Sequence, residues 1–298
     1  MPPQRISRGS STISLGFPPF TGAVKLLVII NVVVFFVVLL GNIASPGFQG
    51  EISRLFGFSP IRGLSSLWVW QFITYGFIHI GLSHILFNML SLWMFGSQLE
   101  MDWGRRRFLE FYFFCMVGAA LTTVAVAYLG VAVTGTSPSP FWASLAELVY
   151  TPTVGASGAV YGILIAFGIL HANQELFLFP LPFRIKAKYM VAIIVLVVFA
   201  TSLQPGRTGV ANFAHLGGLL FGFVYVRFLP RRGLGLAFSE SYYGVRNQYY
   251  RWKRRRAAKK FEVYMRNVDR QQYFDEYGNF RDPGKNKKDG ESRPPWVN

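Results

Sequence analysis

Residues 155 to 158 read Gly155-Ala156-Ser157-Gly158, and they stand where a polar, proline-containing loop becomes an apolar run. A serine flanked by glycines at a helix start can expose its hydroxyl, because glycine has no Cβ atom to obstruct an approaching backbone. The run that follows is typical of a membrane-spanning helix. A chemical role for this motif would place hydroxyl chemistry below the membrane surface, with a general base supplied by another membrane segment.

The composition of the whole chain is that of a membrane protein. Of its 298 residues, 52% are hydrophobic and only 15% are charged, against about 25% charged in ordinary soluble domains. Six apolar runs are long enough to cross a hydrocarbon core of about 30 Å. They cover residues 22–43, 83–101, 107–131, 157–173, 188–204 and 210–229. The sequence therefore predicts an all-α polytopic membrane protein with six transmembrane helices.

The basic residues of the connections lie mostly on one side of the predicted membrane. That side has Arg5, Arg8, Arg105, Arg106, Arg107, Arg184, Lys186, Lys188, Arg231 and Arg232, and the other has Arg54, Arg62 and Arg207. Since cytoplasmic loops carry the excess of Lys and Arg, we expect both termini to be cytoplasmic. The membrane that we expect for this protein is a plasma (inner) membrane. Residues 1–21 form the predicted cytoplasmic N-terminal segment. They are also basic, serine-rich and free of acids, so a short organelle transit peptide is the alternative.

The six runs define a domain at residues 22–229, and residues 230–298 form a basic cytoplasmic tail. The tail contains 17 Lys or Arg against 8 Asp or Glu, within a net charge of +16 for the chain. Its cluster from Arg251 to Lys260 predicts attraction to anionic lipid headgroups, at about 1 kcal/mol per basic residue. A solvated topological anchor is the alternative, and nucleic acid is a weaker one that we do not predict as a partner. The composition of residues 275–298 predicts disorder.

The second span begins with an unusual group of polar residues. Ser83 is the predicted N-cap of its helix. His84 and Asn88 are four residues apart and therefore share one helix face. His79 precedes them and is expected in the entry turn. Polar groups inside spans are costly and by default mark function or a specific pairing.

A second group of polar and small residues links the fourth and sixth spans. His215, Gly218 and Gly222 lie along one stripe of the sixth span, and small residues of this kind let another helix approach closely. The fourth span presents Ser157 and Tyr161 on one face. We therefore expect these two helices to pack with Ser157 and His215 within hydrogen-bond reach.

A serine beside a histidine is the pattern of an activated nucleophile. Between Leu148 and Ser239 the only carboxylate is Glu175, at the predicted cytoplasmic end of the fourth span. The outward loops offer only Glu51 and Glu147. A buried Asp that would orient the histidine, as in Ser-His-Asp sites, therefore has no clear candidate. The sequence predicts a Ser-His dyad, with His215 held by packing and by stacking on Tyr161.

Acyl transfer also requires hydrogen-bond donors for the developing oxyanion. The Ser157 amide at a helix start is one, and the side chains of His84 and Asn88 are two more. A metal site at His79, His84 and His215 is the competing account, but it lacks a carboxylate or cysteine partner. The single cysteine, Cys115, lies in the third span, and we predict neither a metal nor a cofactor.

Together, three motifs resemble the rhomboid family of intramembrane serine proteases. They are His79-x4-His84-x3-Asn88, Gly155-Ala156-Ser157-Gly158 and Ala214-His215-x2-Gly218. The resemblance covers roughly residues 22 to 229. It extends to Gly96-x3-Glu100-x3-Gly104, which matches the family's GxxxExxxG pattern. It also extends to Trp70 in a long first loop, although Gln71 follows where many members have arginine.

The resemblance implies a six-helix rhomboid fold with Ser157 as nucleophile and His215 as general base and acid. The implied oxyanion donors are His84, Asn88 and the Ser157 amide; Tyr161 would stack on His215, Gly155 would keep the approach to the serine open, and His79 and Glu100 would be structural. Substrates would be single-span membrane proteins, cut near the outer face where their helix unwinds. A fully hydrogen-bonded helix otherwise hides its carbonyl groups from attack.

Two other functions remain as alternatives. An inactive rhomboid-like protein that binds transmembrane clients is disfavoured because both Ser157 and His215 are present. A transporter would predict a repeated pattern between the two halves of the chain, and spans one to three share none with spans four to six.

Overall fold

The computed structural model describes residues 18–20, 22–136, 139–177, 184–203, 209–228, 234–267 and 273–280. Contacts divide the chain into two compact units, Met1–Leu234 and Gly235–Asn298. Most of the predicted N-terminal segment, residues 1–17 and 21, lies outside the described residues.

Helices make up most of the described part of the first unit. They are α1 (Gly22–Ala44), α2 (Phe48–Phe56), α3 (Gln71–Thr74), α4 (Leu82–Ser91), α5 (Ser97–Trp103), α6 (Arg105–Thr134), α7 (Pro140–Glu147), α8 (Ser157–Leu170), α9 (Ala187–Ser202) and α10 (Gly209–Phe228). A 3₁₀ turn at Tyr75–Phe77 extends α3, and π turns lie at Ile61–Ser65 and, between α4 and α5, at Leu92–Gly96. Two short antiparallel strands, β1 (Glu175–Phe177) and β2 (Arg184–Lys186), join α8 to α9.

Each of the six predicted apolar runs coincides with helix, the second as the succession from α4 to α5. By length and hydropathy, two helices in the described part of the chain, α1 and α6, can cross a bilayer. The helices at residues 71–77 and 82–103, bent by 101°, count as a third if they form one span. The apolar helices α8 and α9 are shorter, at 14 and 16 residues. The helical membrane architecture is therefore present, and the count of six spans stays a prediction.

Helix α10 packs against both α6 and α8, and glycines make these contacts close. A Cβ atom at Gly218 would collide with the backbone carbonyl of Gly158 on α8, and one at Gly222 would lie 2.8 Å from the Cα atom of Gly162. Small residues at such a crossing let two backbones approach in a membrane, where close packing replaces the hydrophobic effect. The stripe of small residues predicted for the sixth span is the surface that meets α8.

The carboxylate of Glu100, in the middle of α5, contacts the start of α1. It accepts hydrogen bonds from the backbone amides of Ala23 at 2.6 Å and Val24 at 2.9 Å. The first amides of a helix have no partner within the helix, and a carboxylate also interacts favourably with the helix dipole there. Glu100 therefore occupies a structural position, at the N-terminus of α1.

One local prediction differs from the structure, and another falls on residues of which only a part is described. Ser83 is not the N-cap of its helix: α4 already begins at Leu82, and Gly81 precedes it with φ 87° and no side-chain cap. The positive φ favours glycine and moves the start of the helix two residues before the expected point. Within the segment predicted to be disordered, residues 275–280 form a tight turn in which Asp275 accepts hydrogen bonds from the Tyr277 and Asn279 amides. The remainder of that segment lies outside the described residues.

Helix α11 (Leu234–Asn267) has 34 residues and includes the basic cluster; all of it except Leu234 belongs to the second unit. All residues from Arg251 to Lys260 are exposed. The sequence of this helix has no regular spacing of apolar residues, and so the sequence analysis does not predict it.

Candidate active site

The Ser157 hydroxyl and the His215 imidazole lie together, as the sequence predicts. The Oγ atom of Ser157 is 2.8 Å from Nε2 of His215. Ser157 is the first residue of α8, and His215 lies within α10, three residues before the glycine that meets α8. The close crossing of α8 and α10 therefore places the two side chains in contact.

The imidazole of His215 is held flat against a neighbouring ring. Its centroid is 4.2 Å from that of Tyr161, one turn after Ser157 on α8, and the two planes are 21° apart. Among the described residues, Nδ1 of His215 is buried and has no hydrogen-bond partner. Stacking and packing therefore hold the ring, and no carboxylate from the described part of the chain completes a triad.

Gly155 lies against His84 from α4. It has φ +116°, and a Cβ atom built on it would be 2.6 Å from both Cε1 and Nε2 of the His84 ring. Glycine is favoured here both by the backbone conformation and by the space that the imidazole occupies. The tertiary structure thus brings His84 to the loop that immediately precedes Ser157.

The other two polar residues of this region make backbone contacts. The Asn88 amide donates from Nδ2 to the carbonyl of His84 at 2.8 Å, within α4. His79 is buried, and its Nε2 accepts a hydrogen bond from the Ala156 amide at 3.3 Å. The His79 and His84 rings meet edge to face, with centroids 5.0 Å apart. His79 therefore contacts the backbone of the residue that precedes Ser157.

Gln71 supports the first loop, although it replaces the arginine expected there. Its buried side chain donates from Nε2 to the carbonyls of Arg54 at 3.1 Å and Leu55 at 3.2 Å. Its Oε1 accepts from the Ser59 amide at 3.3 Å. Glutamine in place of arginine thus still forms three hydrogen bonds with the loop backbone.

This loop is joined in turn to the segment that leads to Ser157. The Phe58 and Thr153 backbones exchange two hydrogen bonds, of 2.9 and 2.7 Å. The Ser59 hydroxyl donates to the Val149 carbonyl at 2.9 Å. Loop residues far apart in sequence therefore form one connected support for the serine.

Tyr75 is a support that sequence reasoning did not find. It is fully buried, its hydroxyl donates to the Met116 carbonyl at 2.7 Å, and its own carbonyl accepts from the Gly155 amide at 2.9 Å. Its only sequence signal is an aromatic residue in an apolar loop, which does not distinguish it from its neighbours.

No group of three His, Cys, Asp or Glu side chains that could hold a metal ion occurs in the ranges that the structure describes.

Comparison with known proteins shows the family of this chain. The family model of the Rhomboid domain matches residues 66–232, more than half of the chain. The chain is 29% identical to rhomboid protease AarA of Providencia stuartii over 209 residues, which are 67% of this chain and 71% of AarA. It is also 29% identical to rhomboid protease GluP of Bacillus subtilis over 157 residues, 52% of this chain and 25% of GluP.

A third relative comes from a plant. RHOMBOID-like protein 12, mitochondrial, of Arabidopsis thaliana is 29% identical over 150 residues, 49% of this chain and 42% of the relative. The chain thus spans less than half the length of two of these three relatives. The extent of the domain match, together with the apolar helices, shows that this chain is an integral membrane protein belonging to the rhomboid family of intramembrane serine proteases.

Proposed function

We propose that this chain is an intramembrane serine endopeptidase that cleaves membrane-protein substrates by a dyad of Ser157 and His215. The observation that carries the proposal is the 2.8 Å contact between Ser157 Oγ and His215 Nε2. Nucleophile and base within hydrogen-bond reach are the geometric signature of an activated serine.

The reaction requires His215 to carry its proton on Nδ1, so that Nε2 accepts the proton of Ser157. As Oγ attacks the scissile carbonyl carbon, its proton moves to Nε2. His215 then gives that proton to the leaving amine, the peptide bond breaks, and an acyl-enzyme remains. Water attacks the acyl carbon, His215 takes its proton and returns it to Ser157, and the carboxyl product leaves.

The oxyanion formed in each step needs donors in place beforehand. We assign this role to the Ser157 amide, His84 and Asn88. The amide stands at the first residue of α8, where helical N–H groups have no partner within the helix. The His84 ring lies against Gly155, two residues before the nucleophile. The Asn88 amide is bonded to the His84 carbonyl, so substrate would have to compete with that bond.

The substrates that we propose are single-span membrane proteins whose helix unwinds near the outer face.

The six-helix domain would be residues 22–229, with both termini cytoplasmic in a plasma (inner) membrane. A reporter placed after residue 298 and one inserted near residue 140 should then report opposite sides. If both reporters are cytoplasmic, the six-span arrangement is wrong. Because relatives of this chain include a mitochondrial protein, microscopy of the tagged chain separates the proposed location from an organelle.

For the basic tail, residues 230–298, we propose contact with anionic lipid headgroups. The exposed cluster from Arg251 to Lys260 on α11 supports it, and Trp252 stands on the same helix with 53% of its surface exposed. Changing Arg254, Arg255 and Arg256 together to Gln in the full-length, purified protein should reduce the binding of its tail to vesicles that contain phosphatidylglycerol. Unchanged binding would contradict the lipid contact and favour the alternative that the tail is a solvated topological anchor.

Cleavage of a tagged single-span substrate in liposomes tests the dyad. The wild-type protein should cleave it, and Ser157→Ala and His215→Ala should each remove cleavage. Ser144→Ala is a matched control, since its hydroxyl donates only to the Phe141 carbonyl of its own helix at 2.7 Å. Undiminished cleavage by Ser157→Ala contradicts the mechanism. Client binding without cleavage by the wild-type protein would favour the inactive, client-binding alternative.

A further inference from the structure

An apolar groove runs along the surface between α8 and α9. Its volume is about 600 Å³, and its lining includes Ile165, Gly168 and Ile169 of α8 and Ala192, Leu196 and Phe199 of α9. The groove begins eight residues after Ser157 along α8, which corresponds to about 12 Å of helix. It is thus separate from the residues assigned to catalysis.

The shape of the groove follows from the packing of the two helices. A Cβ atom at Gly168 would be 2.7 Å from the Val191 side chain, so the helices touch closely at this point. On α9, the lining residues Ala192, Leu196 and Phe199 form an exposed stripe beside this contact. A close contact flanked by exposed apolar side chains leaves a narrow channel open to the membrane.

The groove has the length of one membrane leaflet. From Lys188 to Phe199 the helix rises about 16 Å, which is roughly half of a hydrocarbon core of about 30 Å. A transmembrane helix about 10 Å wide and equally long would occupy roughly 1,250 Å³, twice the volume of the groove. A single extended hydrocarbon chain matches its dimensions better than a helical span does.

One end of the groove carries a positive charge. Lys188 is the only ionisable residue in its lining, and the side chain is exposed. Its ammonium group lies 5.2 Å from the centre of the Tyr189 ring. Within the residues that the structure describes, no carboxylate lies within 4.0 Å of it, whereas nearby Glu175 is already paired with Arg184 at 3.7 Å.

The backbone at this end is already satisfied. The amide of Ala187 donates to the Gln174 carbonyl at 2.9 Å, and that of Lys188 donates to the Ala172 carbonyl at 3.2 Å. An anion here would therefore be recognised by the lysine side chain. An apolar channel one leaflet deep, with a cation at its rim, is complementary to a lipid with an acyl tail and an anionic head.

We propose that the α8–α9 groove binds a phospholipid with an anionic headgroup. One acyl chain lies against Ala192, Leu196 and Phe199, and the headgroup phosphate contacts the Lys188 ammonium. Binding requires only that the protein reside in a membrane, so it is independent of the proposed protease activity.

Lipid retention by the full chain tests the proposal. The protein is reconstituted in vesicles with equal phosphatidylglycerol and phosphatidylcholine, extracted in mild detergent, and its retained lipids are measured by mass spectrometry. The wild-type protein should be enriched in phosphatidylglycerol. Lys188→Gln should lower that enrichment about fivefold, as expected for the loss of one basic contact. Ala192→Trp, which fills the channel, should lower the retention of both lipids.

Two matched variants complete the experiment. Lys25→Gln removes an exposed lysine from α1, outside the groove, and should retain the wild-type enrichment. The triple Gln variant of Arg254, Arg255 and Arg256 should leave the effect of Lys188→Gln intact, which separates the groove from the tail. The proposal is overturned if Lys188→Gln and Lys25→Gln retain the same lipids. It is also overturned if Ala192→Trp keeps its lipids and instead loses substrate binding, since the groove would then belong to the substrate.

Discussion

Two histidines stack on aromatic rings of α8, one near each end of that helix. His215 lies against Tyr161, with centroids 4.2 Å apart and planes at 21°. His171, which follows the last residue of α8, lies against Phe167 at 4.8 Å and 20°. In the described part of the chain, both rings also leave a buried Nδ1 without a hydrogen-bond partner. The two imidazoles are thus held in nearly the same way.

They differ in what faces Nε2. For His215 it is the hydroxyl of Ser157 at 2.8 Å, and for His171 it is the carboxylate of Asp102 at 3.1 Å. One pair has a hydroxyl without an orienting acid, and the other has an acid without a hydroxyl. A stacked histidine near a membrane surface is therefore no sign of catalysis by itself. The partner of the ring decides which chemistry is open to it.

Replacing the two histidines in turn should give the largest difference in cleavage rate between two variants. His215→Gln should lower substrate cleavage by about 10³-fold or more, because the general base is lost. His171→Gln should change cleavage by less than about threefold, since its partner is a structural carboxylate. Initial cleavage rates in liposomes measure both. Equal losses in the two variants would break the distinction between the two ends of α8.

Crowding the Ser157 end should have the next largest effect. Gly155→Ala strains the backbone and pushes the His84 ring away, so cleavage should fall about 10²-fold, as when an oxyanion donor is lost. Gly47→Ala is the control, because Gly47 also has a positive φ, +97°, but a Cβ atom there meets nothing within 4 Å. It should change the cleavage rate by less than about twofold. A similar loss in both variants would assign the effect to backbone strain alone.

Removing the loop support should act mainly on stability. Gln71→Ala leaves the buried Ser59 amide without its partner, which costs about 1–3 kcal/mol. The Arg54 and Leu55 carbonyls keep hydrogen bonds from Arg62 and Trp70. Gln174→Ala, at the exposed His171 end of α8, should cost less than about 0.5 kcal/mol. Equilibrium unfolding in detergent, followed by circular dichroism, measures both. If Gln71→Ala unfolds like the wild-type protein, the three hydrogen bonds do not stabilise the loop.

The smallest effect should follow from Asp102→Asn. The carboxylate is 37% exposed, and a partly solvated pair of this kind contributes about 0–1 kcal/mol. The free energy of unfolding should fall by no more than that, and cleavage should stay at the wild-type rate. A large loss of cleavage would show that the His171 end communicates with Ser157.

The sequence predicted the positions of the site residues better than the hydrogen bonds of the residues that support them. Ser157, His215 and Tyr161 could be placed together because helical spacing and glycine stripes report which faces meet. The hydrogen bonds of Gln71 and Tyr75 go to backbone groups of distant loops, and no side-chain pattern encodes those partners. For Glu100 the motif marked the residue, but its contact with the Ala23 amide depends on how the chain folds.

Helix boundaries and polar helices were harder to predict. A serine at residue 83 is a good N-cap by type, yet the left-handed Gly81 fixed the start of α4 earlier. Helix α11 has no apolar stripe, so hydrophobic periodicity, the main sequence signal for helices, did not reveal it.

The single cysteine has a practical consequence. Cys115 is fully buried in α6, and a thiol without solvent access is inert to alkylating reagents. A cysteine introduced at any exposed position would therefore be the only labelled group, with every native residue except the substituted one retained. Membrane-impermeant maleimides could then record on which side each connection lies, one position at a time.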